Sequence, residues 1–350
     1  MKKIALFALP LIAFGTTANA EMGSYPTISG EISIEVQNDW THNSDDPTAE
    51  INDLYPMVNL ATTVGFTPEF TLNLEATLEP VEDASDDRAF EDLGAYVGVL
   101  TLNYDTDDFS VYAGKFSANF GIAWDATPGL SWGNLSEDYE LAEMLGVGAS
   151  LSFNAAGRHT VSASTFFLDT TFLSDSAGTS RGPIDKSDGG AANTESFESF
   201  AVAMDGNFAE LDGLRYHVGV SSAAEGDDGT TNQLGYAIGA EYEIPLTDET
   251  TLTPLFEVAY LDDAAGIEGD NSLYATAGLT LGYGNWTATS SYQRRDIESV
   301  GGDSDDYIVD ATIGYEFDFG LGIAAGYRFV EEGDVDSNVL GILAAYTFEF

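Results

Sequence analysis

Hydrophobic and polar residues alternate along most of the chain. For example, Phe70, Leu72 and Leu74 occupy one set of alternate positions, and Thr71 and Asn73 occupy the other. A period of two places the two sets on opposite faces of a β-strand. Because the pattern recurs over most of the sequence, it predicts an all-β fold in which each strand has one apolar and one polar face.

The alternation divides the chain into about 16 segments. The predicted strands are 27–40, 54–67, 69–82, 92–105, 109–119, 139–154, 157–172, 197–210, 213–225, 232–245, 250–262, 271–284, 285–297, 305–319, 320–331 and 337–350. Each is near the roughly 10 residues that a tilted strand needs to cross a membrane. Short turns alternate with long connections, among them 120–138, 174–196 and 332–336, as in barrels with periplasmic turns and extracellular loops.

The last residues of the chain indicate the type of barrel. Leu340, Ile342, Tyr346, Phe348 and Phe350 lie on one face of the final predicted strand. A soluble protein seldom ends on an exposed aromatic ladder, whereas in a bacterial outer-membrane barrel such a ladder faces lipid. Other aromatic residues cluster beside the short turns, where a membrane-interface girdle is expected. The sequence therefore predicts a transmembrane antiparallel β-barrel of about 16 strands.

The first residues are typical of a secretory signal peptide. Met1–Lys3 is basic, 4–14 is apolar, and Ala18–Ala20 has the small residues of a cleavage site. The apolar stretch is too short for a spanning helix, so a cleaved signal is favoured over an uncleaved membrane anchor. We expect residues 1–20 to be removed and residues 21–350 to form one outer-membrane barrel domain.

The composition is strongly acidic. The chain has 59 acidic and 11 basic residues, and loss of Lys2 and Lys3 with the signal peptide leaves nine basic residues. Such a charge excludes nucleic acid as a partner and disfavours an anion-specific pore. There are no cysteines, so neither disulfides nor thiolate chemistry is available.

Signals for an enzyme are poor. His42, His159 and His217 are scattered, none has a metal-binding spacing, and no Gly-x-Ser-x-Gly motif occurs. A single histidine on a barrel wall, such as His217, is expected to be a bystander. The sequence predicts no catalytic residues and no resident cofactor, and an outer-membrane hydrolase is disfavoured.

A barrel of about 16 strands is wide enough to enclose water, and this predicts a channel. Small residues on the predicted inward faces are Ala201, Ala203, Gly235, Gly239, Gly278, Gly282, Gly322 and Gly326. Acidic residues on these faces are Glu31, Glu35, Glu75, Glu79, Glu241, Glu243, Glu257, Asp310 and Glu316. We expect small hydrophilic solutes and ions to diffuse passively, with a preference for cations because carboxylates lower their energy in a pore.

The connection 120–138 differs from the other long loops because it is aromatic and apolar. Trp124 and Trp132 would be costly to expose, so we expect this segment to fold into the lumen and narrow it. In this respect the chain resembles the general bacterial porin family, whose third long loop forms a constriction. The resemblance implies a homotrimer. The segment Gly114–Gly121 is similar to one in phosphate-selective and related substrate-specific porins, although the shortage of arginine and lysine departs from the phosphate-specific pattern.

In porins of this kind, carboxylates of the constriction loop face basic side chains of the wall. The resemblance assigns the acidic role to Asp125, Glu137 and Asp138, with Glu140 and Glu143 as further candidates. The candidate basic partners are Lys115, Arg215, Arg295 and Arg328, and the orientation of Arg294 is ambiguous. A transverse field between the two sets would orient dipolar solutes. The alternative is that the acids are solvated loop charges.

The acidic loops are also candidate sites for calcium binding. The segments 334–338, 303–306 and 226–229 are candidate Ca²⁺ sites or simply solvated turns, and divalent ions could link such loops to lipopolysaccharide among the outer-membrane lipids. Two other functions stay open at this point. One is a substrate-specific outer-membrane channel, and the other is a structural or adhesive barrel that presents its acidic loops.

Overall fold

The computed structural model describes residues 25–350, so the predicted signal peptide 1–20 lies outside the described residues. Sixteen long strands form the barrel. They are β1 Thr27–Ser44, β2 Asn52–Gly65, β3 Phe70–Pro80, β4 Leu93–Asp105, β5 Phe109–Ala118, β6 Leu141–Asn154, β7 Arg158–Leu168, β8 Ser199–Phe208, β9 Leu211–Ala223, β10 Gln233–Tyr242, β11 Thr250–Asp262, β12 Asn271–Tyr283, β13 Trp286–Glu298, β14 Ser304–Glu316, β15 Gly322–Glu332 and β16 Val335–Glu349. The predicted fold class is confirmed.

Each strand pairs antiparallel with the next, and β1 pairs with β16 to close the barrel. At this seam Ile32 lies opposite Phe348, and Val36 lies opposite Ala344. The backbone N–H groups of Gly30 and Phe350 each donate to the carbonyl oxygen of the other residue at 2.9 Å. The terminal residue therefore belongs to the hydrogen-bond ladder, and closure leaves no open sheet edge.

The two faces of the wall have the polarity that the alternation predicts. The outward-facing side chains of Ile28 and Ile342 are each 65 % exposed, whereas the inward-facing Gln37 and Gln293 are almost completely buried. Aromatic pairs lie on the outer surface near the short turns, for instance Trp286 and Tyr315 with ring centroids 4.8 Å apart. The wall is apolar outside and polar inside, which is the inverse of a soluble barrel.

The long connections contain more local structure than their composition indicates. Two-residue strands occur at Arg88–Ala89, parallel to β2, and at Ala177–Gly178, antiparallel to β4. A four-residue strand, Ile244–Thr247, extends the pairing with β11 beyond β10. The helical segments are Pro47–Ala49, Ala123–Ala126 (α1), Leu135–Tyr139, Phe172–Ser174, Lys186–Asp188 and Ala264–Gly266. Among residues 25–350, no helix has the length and apolarity to cross a membrane.

The prediction of a long loop at 332–336 was wrong. Glu332 pairs directly with Val335, so Gly333 and Asp334 alone connect β15 to β16. Both have left-handed backbone, with φ of 61° and 65°. This is the requirement of a type I′ hairpin turn, which fits the twist of the flanking strands. The glycine and aspartate that suggested a solvated loop are the residues that this turn needs.

We predict that Asp334→Val destabilises the barrel by about 1–2 kcal/mol, because a β-branched residue is strained at positive φ. Asp334→Gly should be neutral or stabilising. The measurement is urea unfolding of the refolded protein in lipid vesicles, followed by tryptophan fluorescence. Asp336→Val is the matched control, since Asp336 lies in extended β16. Equal losses in both valine variants would contradict the prediction.

Candidate functional site

The connection between β5 and β6, residues 119–140, lies inside the barrel and is called L3 below. Its beginning contacts β8, β9 and β11. Its middle contacts β1, β2 and β15, and its end returns to β12 and β13. L3 therefore follows one side of the inner wall, from β8 through β16 to the first strands, and narrows the lumen.

Glu257 on β11 fixes both ends of L3. Its carboxylate accepts hydrogen bonds from the backbone N–H groups of Ile122 at 2.7 Å and Ala123 at 2.9 Å. The hydroxyl of Tyr139 donates to the same carboxylate at 2.6 Å. The Glu257 side chain is only 1 % exposed, so its charge is matched by donors rather than by water. An acid that the pattern placed on the lumen wall thus acts as an acceptor for the loop.

His217 holds the segment just before Ile122. The backbone N–H of Gly121 donates to Nε2 of His217 at 2.9 Å, so this nitrogen carries a lone pair and the ring is neutral. The proton is then on Nδ1, which donates to Asp205 at 2.8 Å. Asn119 donates to the other carboxylate oxygen of Asp205 at 2.7 Å. The expectation that His217 is a bystander was wrong, because the sequence cannot show which loop atom meets it.

The tip of L3 is bound to the seam side of the barrel. The backbone N–H of Ser131 donates to Gln37 at 3.0 Å, and its hydroxyl donates to Glu35. The indole N–H of Trp132 donates to Asp39 at 2.8 Å. These three acceptors follow one another at alternate positions on β1, so the tip is held by one continuous polar stripe.

The apolar side chains of L3 rest on inward-facing glycines of the wall, a set we call the glycine trough. The contacts are Phe120 with Gly219 and Gly235, Ile122 with Gly239, Pro128 with Gly278, Leu130 with Gly341, and Trp132 with Gly326 and Gly341. A Cβ atom added to Gly341 would lie 2.5 Å from Leu130 Cδ1. Four of these glycines, Gly235, Gly239, Gly278 and Gly326, were expected to leave the lumen open, and they make room for the loop instead.

Arg295 and Arg328 are two predicted basic residues that the structure brings to L3. Arg295 donates to Asp138 of L3 at 2.6 Å and also pairs with Asp306 at 2.8 Å. Arg328 pairs with Asp310 at 2.7 Å, and it donates to a carbonyl oxygen of the L3 tip at 2.6 Å. Both arginines are neutralised by wall carboxylates while they hold the loop. Both side chains therefore anchor L3 to the wall.

Lys115 and Arg215 lie elsewhere. The ammonium of Lys115 is 1 % exposed and forms ion pairs with Glu143 at 2.6 Å and Asp169 at 2.9 Å. Arg215 is well exposed beside a short turn and pairs with Glu241 at 2.6 Å. The structure therefore groups Lys115 and Glu143 in a separate cluster and leaves Arg215 near the barrel end.

The remaining predicted acids lie on L3 itself. Asp125 is in the first turn of α1. Glu137 caps the following short helix, since its carboxylate accepts from the backbone N–H of Asn134 at 3.1 Å. Burial raises the pKa of Glu137, whereas the Asn134 hydrogen bond and the positive charge of Arg328 lower it, and the charges of Asp138 and Glu79 raise it further. Glu79 lies on β3, so Glu137 faces an acid on the wall away from the glycine trough.

Glu140, at the end of L3, has the clearest perturbation. Burial raises the pKa of its carboxyl to about 7. The negative charges of Glu137, Asp125 and Glu143 act in the same direction, and a hydrogen bond from Ser117 opposes them. Two carboxylates from L3 and one from β6 are thus close enough to influence the proton of Glu140. The surface that L3 turns away from the trough is acidic.

The connection between β7 and β8, residues 169–198 and called L4 below, was predicted as a long loop, but its contacts with the wall were not predicted. Arg181 of L4 donates to Glu143 at 2.7 Å and lies over the ring of Tyr96 at 4.1 Å. The isolated arginine in an otherwise Gly-, Ser- and Asp-rich loop was a signal that could have been used. Its partners could not be read from the sequence.

The acidic turns do not form a preformed calcium site. Within residues 25–350, no group of three or more His, Cys, Asp or Glu side chains has an arrangement that could hold a metal ion. Calcium at these loops stays a prediction.

Solved structures of several outer-membrane proteins share this architecture. The chain matches a loop-deletion mutant of OmpT, an outer membrane protein of Vibrio cholerae, with 15 % identity and a TM-score of 0.55, over 93 % of this chain and 100 % of that one. It matches the outer membrane channel DcaP of Acinetobacter baumannii with 11 % identity and a TM-score of 0.59, over 94 % and 99 %. It matches OccK1 (OpdK) of Pseudomonas aeruginosa with 11 % identity and a TM-score of 0.57, over 92 % and 99 %.

The sequence matches no protein-family model, and a search of curated protein sequences gives no significant match. At the identities above, the similarity establishes the shared fold, a closed barrel of 16 antiparallel strands.

We predict that Gly341→Ala lowers stability by about 1–3 kcal/mol, because its methyl group overlaps Leu130 and Trp132 and displaces the L3 tip. Chymotrypsin should also cut L3 faster in the folded barrel. The matched control is Gly98→Ala, where an added Cβ meets nothing within 4 Å. The second change Leu130→Ala should restore part of the loss. Similar behaviour of Gly341→Ala and Gly98→Ala would argue against the trough.

Proposed function

We propose that this chain forms a water-filled channel in the bacterial outer membrane, through which small hydrophilic solutes and ions diffuse passively. The observation that carries the proposal is the closed 16-strand barrel with a polar inner face and one loop folded inside it. A barrel of this strand number is too wide for wall side chains alone to fill. L3 packs along one side, so the space between it and β2–β6 is the proposed path.

The location rests on the outer surface and on the neighbours. A continuous apolar exterior with aromatic residues near its rim suits a lipid bilayer and would be a liability in water. Of the similar structures, DcaP is an outer membrane channel and OmpT is an outer membrane protein. The predicted signal peptide gives a route for export. Outer-membrane lipids, including lipopolysaccharide, are accordingly the proposed surroundings.

A homotrimer is the proposed assembly. The resemblance of L3 to the constriction loop of general porins implies it, and one structure of Vibrio cholerae OmpT is described as a trimer form. Phosphate selectivity forms no part of the proposal. Lys115, the basic residue of the segment Gly114–Gly121, is buried between two carboxylates and has no free ammonium for a phosphate.

Cation preference follows from the charges at L3. Asp125, Glu137 and Glu140 lie on the loop, and Glu79 and Glu143 act on the last two from the wall. Arg295 and Arg328 are paired with wall carboxylates, and the charge of Arg328 offsets part of the charge of Glu137. Carboxylates around a wet path lower the energy of an entering cation and raise that of an anion.

The test is single-channel recording in planar bilayers with a potassium chloride gradient. We expect stepwise openings and a reversal potential that indicates cation preference. A properly folded barrel that never conducts would refute the channel and favour a structural or adhesive role. A conducting channel with anion preference would refute the charge argument alone. Saturable block by one solute would instead favour a substrate-specific channel.

We predict that cation preference falls as the pH is lowered through about 7, because the Glu140 carboxyl takes up a proton there and loses its negative charge. The potassium-to-chloride permeability ratio should fall about fourfold between pH 8 and pH 6, because one charge across about 8 Å of water shifts the energies of potassium and chloride by about 0.5 kcal/mol in opposite directions.

Glu140→Gln should show the lower ratio already at pH 8 and lose this step. Glu268→Gln, in an exposed loop, is the control and should keep it. An unchanged pH step in Glu140→Gln would rule out Glu140 as its origin.

A further inference from the structure

One row of inward-facing residues, at a single level of the wall, receives both ends of L3. Its members lie opposite one another on successive strands from β8 to β13, and they are Asp205, His217, Gly239, Glu257, Thr276 and Gln293. Every member except Gly239 makes a hydrogen bond with L3. The row therefore sets the position of L3 on this side of the barrel.

His217 is the member of the row that accepts through a nitrogen atom. Nε2 has one lone pair, and the backbone N–H of Gly121 occupies it at 2.9 Å. A protonated imidazole has an N–H at both nitrogens and no acceptor. Its Nε2 would then turn an N–H toward the N–H of Gly121. The attached position of L3 therefore requires the neutral ring.

The surroundings of His217 leave no room to avoid this conflict. The imidazole is 0 % exposed, and a Cβ atom added to Gly219 would lie 2.7 Å from Nε2 and 3.1 Å from the ring of Phe120. The ring and the start of L3 thus cover the same glycine. Water reaches the N–H of Gly121 only when L3 moves, and because the wall lies behind L3, this movement is toward the lumen.

Two carboxylates, one phenol and one ion pair form the titratable and charged surroundings of His217. They are Asp205 of β8, which accepts from Nδ1 at 2.8 Å, Glu257 of β11, Tyr139 of L3, which donates to Glu257, and Arg215 of β9 paired with Glu241 of β10 at 2.6 Å. Residues 119–124 of L3 carry no charge. Asp205 accepts from Nδ1 whether the ring is neutral or protonated. The contact with Gly121 is the one that changes with the proton.

The other two histidines lack this conflict. Nε2 of His159 faces the carbonyl oxygen of Ala155 at 2.9 Å, and Nδ1 faces the hydroxyl of Tyr216 at 2.8 Å. A carbonyl accepts from an N–H and a hydroxyl either donates or accepts, so His159 keeps both partners in either state. His42 is exposed. Within residues 25–350, His217 is thus the histidine whose proton opposes a loop contact.

We propose that His217 is a pH-sensitive attachment point for L3. In acid the imidazole takes up a proton, the contact with Gly121 breaks, and residues 119–121 leave the wall. Attachment is complete while the ring is neutral and is lost as the pH falls through the titration of His217, within the range of about pH 5–8 where histidines change charge. The consequence for permeation, a narrower path in acid, rests on the proposed channel function.

The experiment is amide hydrogen exchange of the ¹⁵N-labelled mature protein in lipid nanodiscs, at pH 8 and at about pH 5.5, on either side of an ordinary histidine titration. Each rate is divided by the intrinsic rate at that pH. We expect protection of the Gly121 N–H to fall about tenfold in acid, as for the loss of one buried hydrogen bond. The N–H of Leu135 is the matched control, because its acceptor, the amide oxygen of Gln293, does not titrate. Constant protection at Gly121, or an equal fall at Leu135, would overturn the proposal.

His217→Gln separates the proton from the contact, since a glutamine oxygen accepts from the Gly121 N–H at either pH. This variant should show no fall in protection at Gly121, whereas His159→Gln should show the wild-type fall. A fall that persists in His217→Gln would refute the proposal. If His217→Gln does not fold, the comparison of Gly121 with Leu135 in the wild-type protein decides alone.

None of these measurements requires conduction. A wild-type protein that does not conduct refutes the proposed channel, which is a distinct result, and leaves the attachment of L3 to be decided by hydrogen exchange. In a conducting protein, single-channel conductance should fall between pH 8 and about pH 5.5 in the wild type and in His159→Gln, but not in His217→Gln. Equal falls in all three would refute the predicted narrowing.

Discussion

The hydrogen-bonded seam between β1 and β16 is the constraint on which the rest of the structure depends. Once the first and last strands pair, every strand has two neighbours and no backbone edge is left open. Closure also separates an inside from an outside, so a period of two along each strand becomes a polar interior and an apolar exterior. The interior surface, and with it the position of L3, exists only because the seam is made.

The inner wall binds L3 as well as surrounding the proposed water-filled path. A loop inside a barrel brings backbone N–H groups that need acceptors, and here the Glu257 carboxylate, the His217 imidazole and the amide oxygens of Gln37 and Gln293 provide them. Glu257 and His217 hold the beginning of L3, and Glu35 and Asp39 hold its tip. Part of the acidity of the chain therefore serves the anchorage of L3. The acids of the loop itself, Asp125, Glu137 and Glu140, are a separate set.

The sequence was sufficient for the architecture because strand alternation depends on local periodicity. The strand number, the closed fold and the inward path of L3 all follow from residues near one another in the chain. Side-chain pairing does not, since 59 acidic residues offer each base many potential partners. Arg295 and Lys115 were equivalent candidates, yet Arg295 meets Asp138 of L3 and Lys115 lies between β6 and L4. The two-residue turn at Gly333 and the contacts of Arg181 with Glu143 and Tyr96 also depended on geometry that spacing cannot show.

The attachment of the L3 tip has a consequence for how the barrel comes apart. Gln37 and Arg328, which hold Ser131 and Gly133, belong to β1 and β15 and so lie on both sides of the junction that joins the ends of the chain. The loop tip therefore bridges that junction from the inside of the barrel. Separation of the terminal strands must also break the contacts of the loop tip, so strand pairing and loop attachment should be lost together in a single cooperative step.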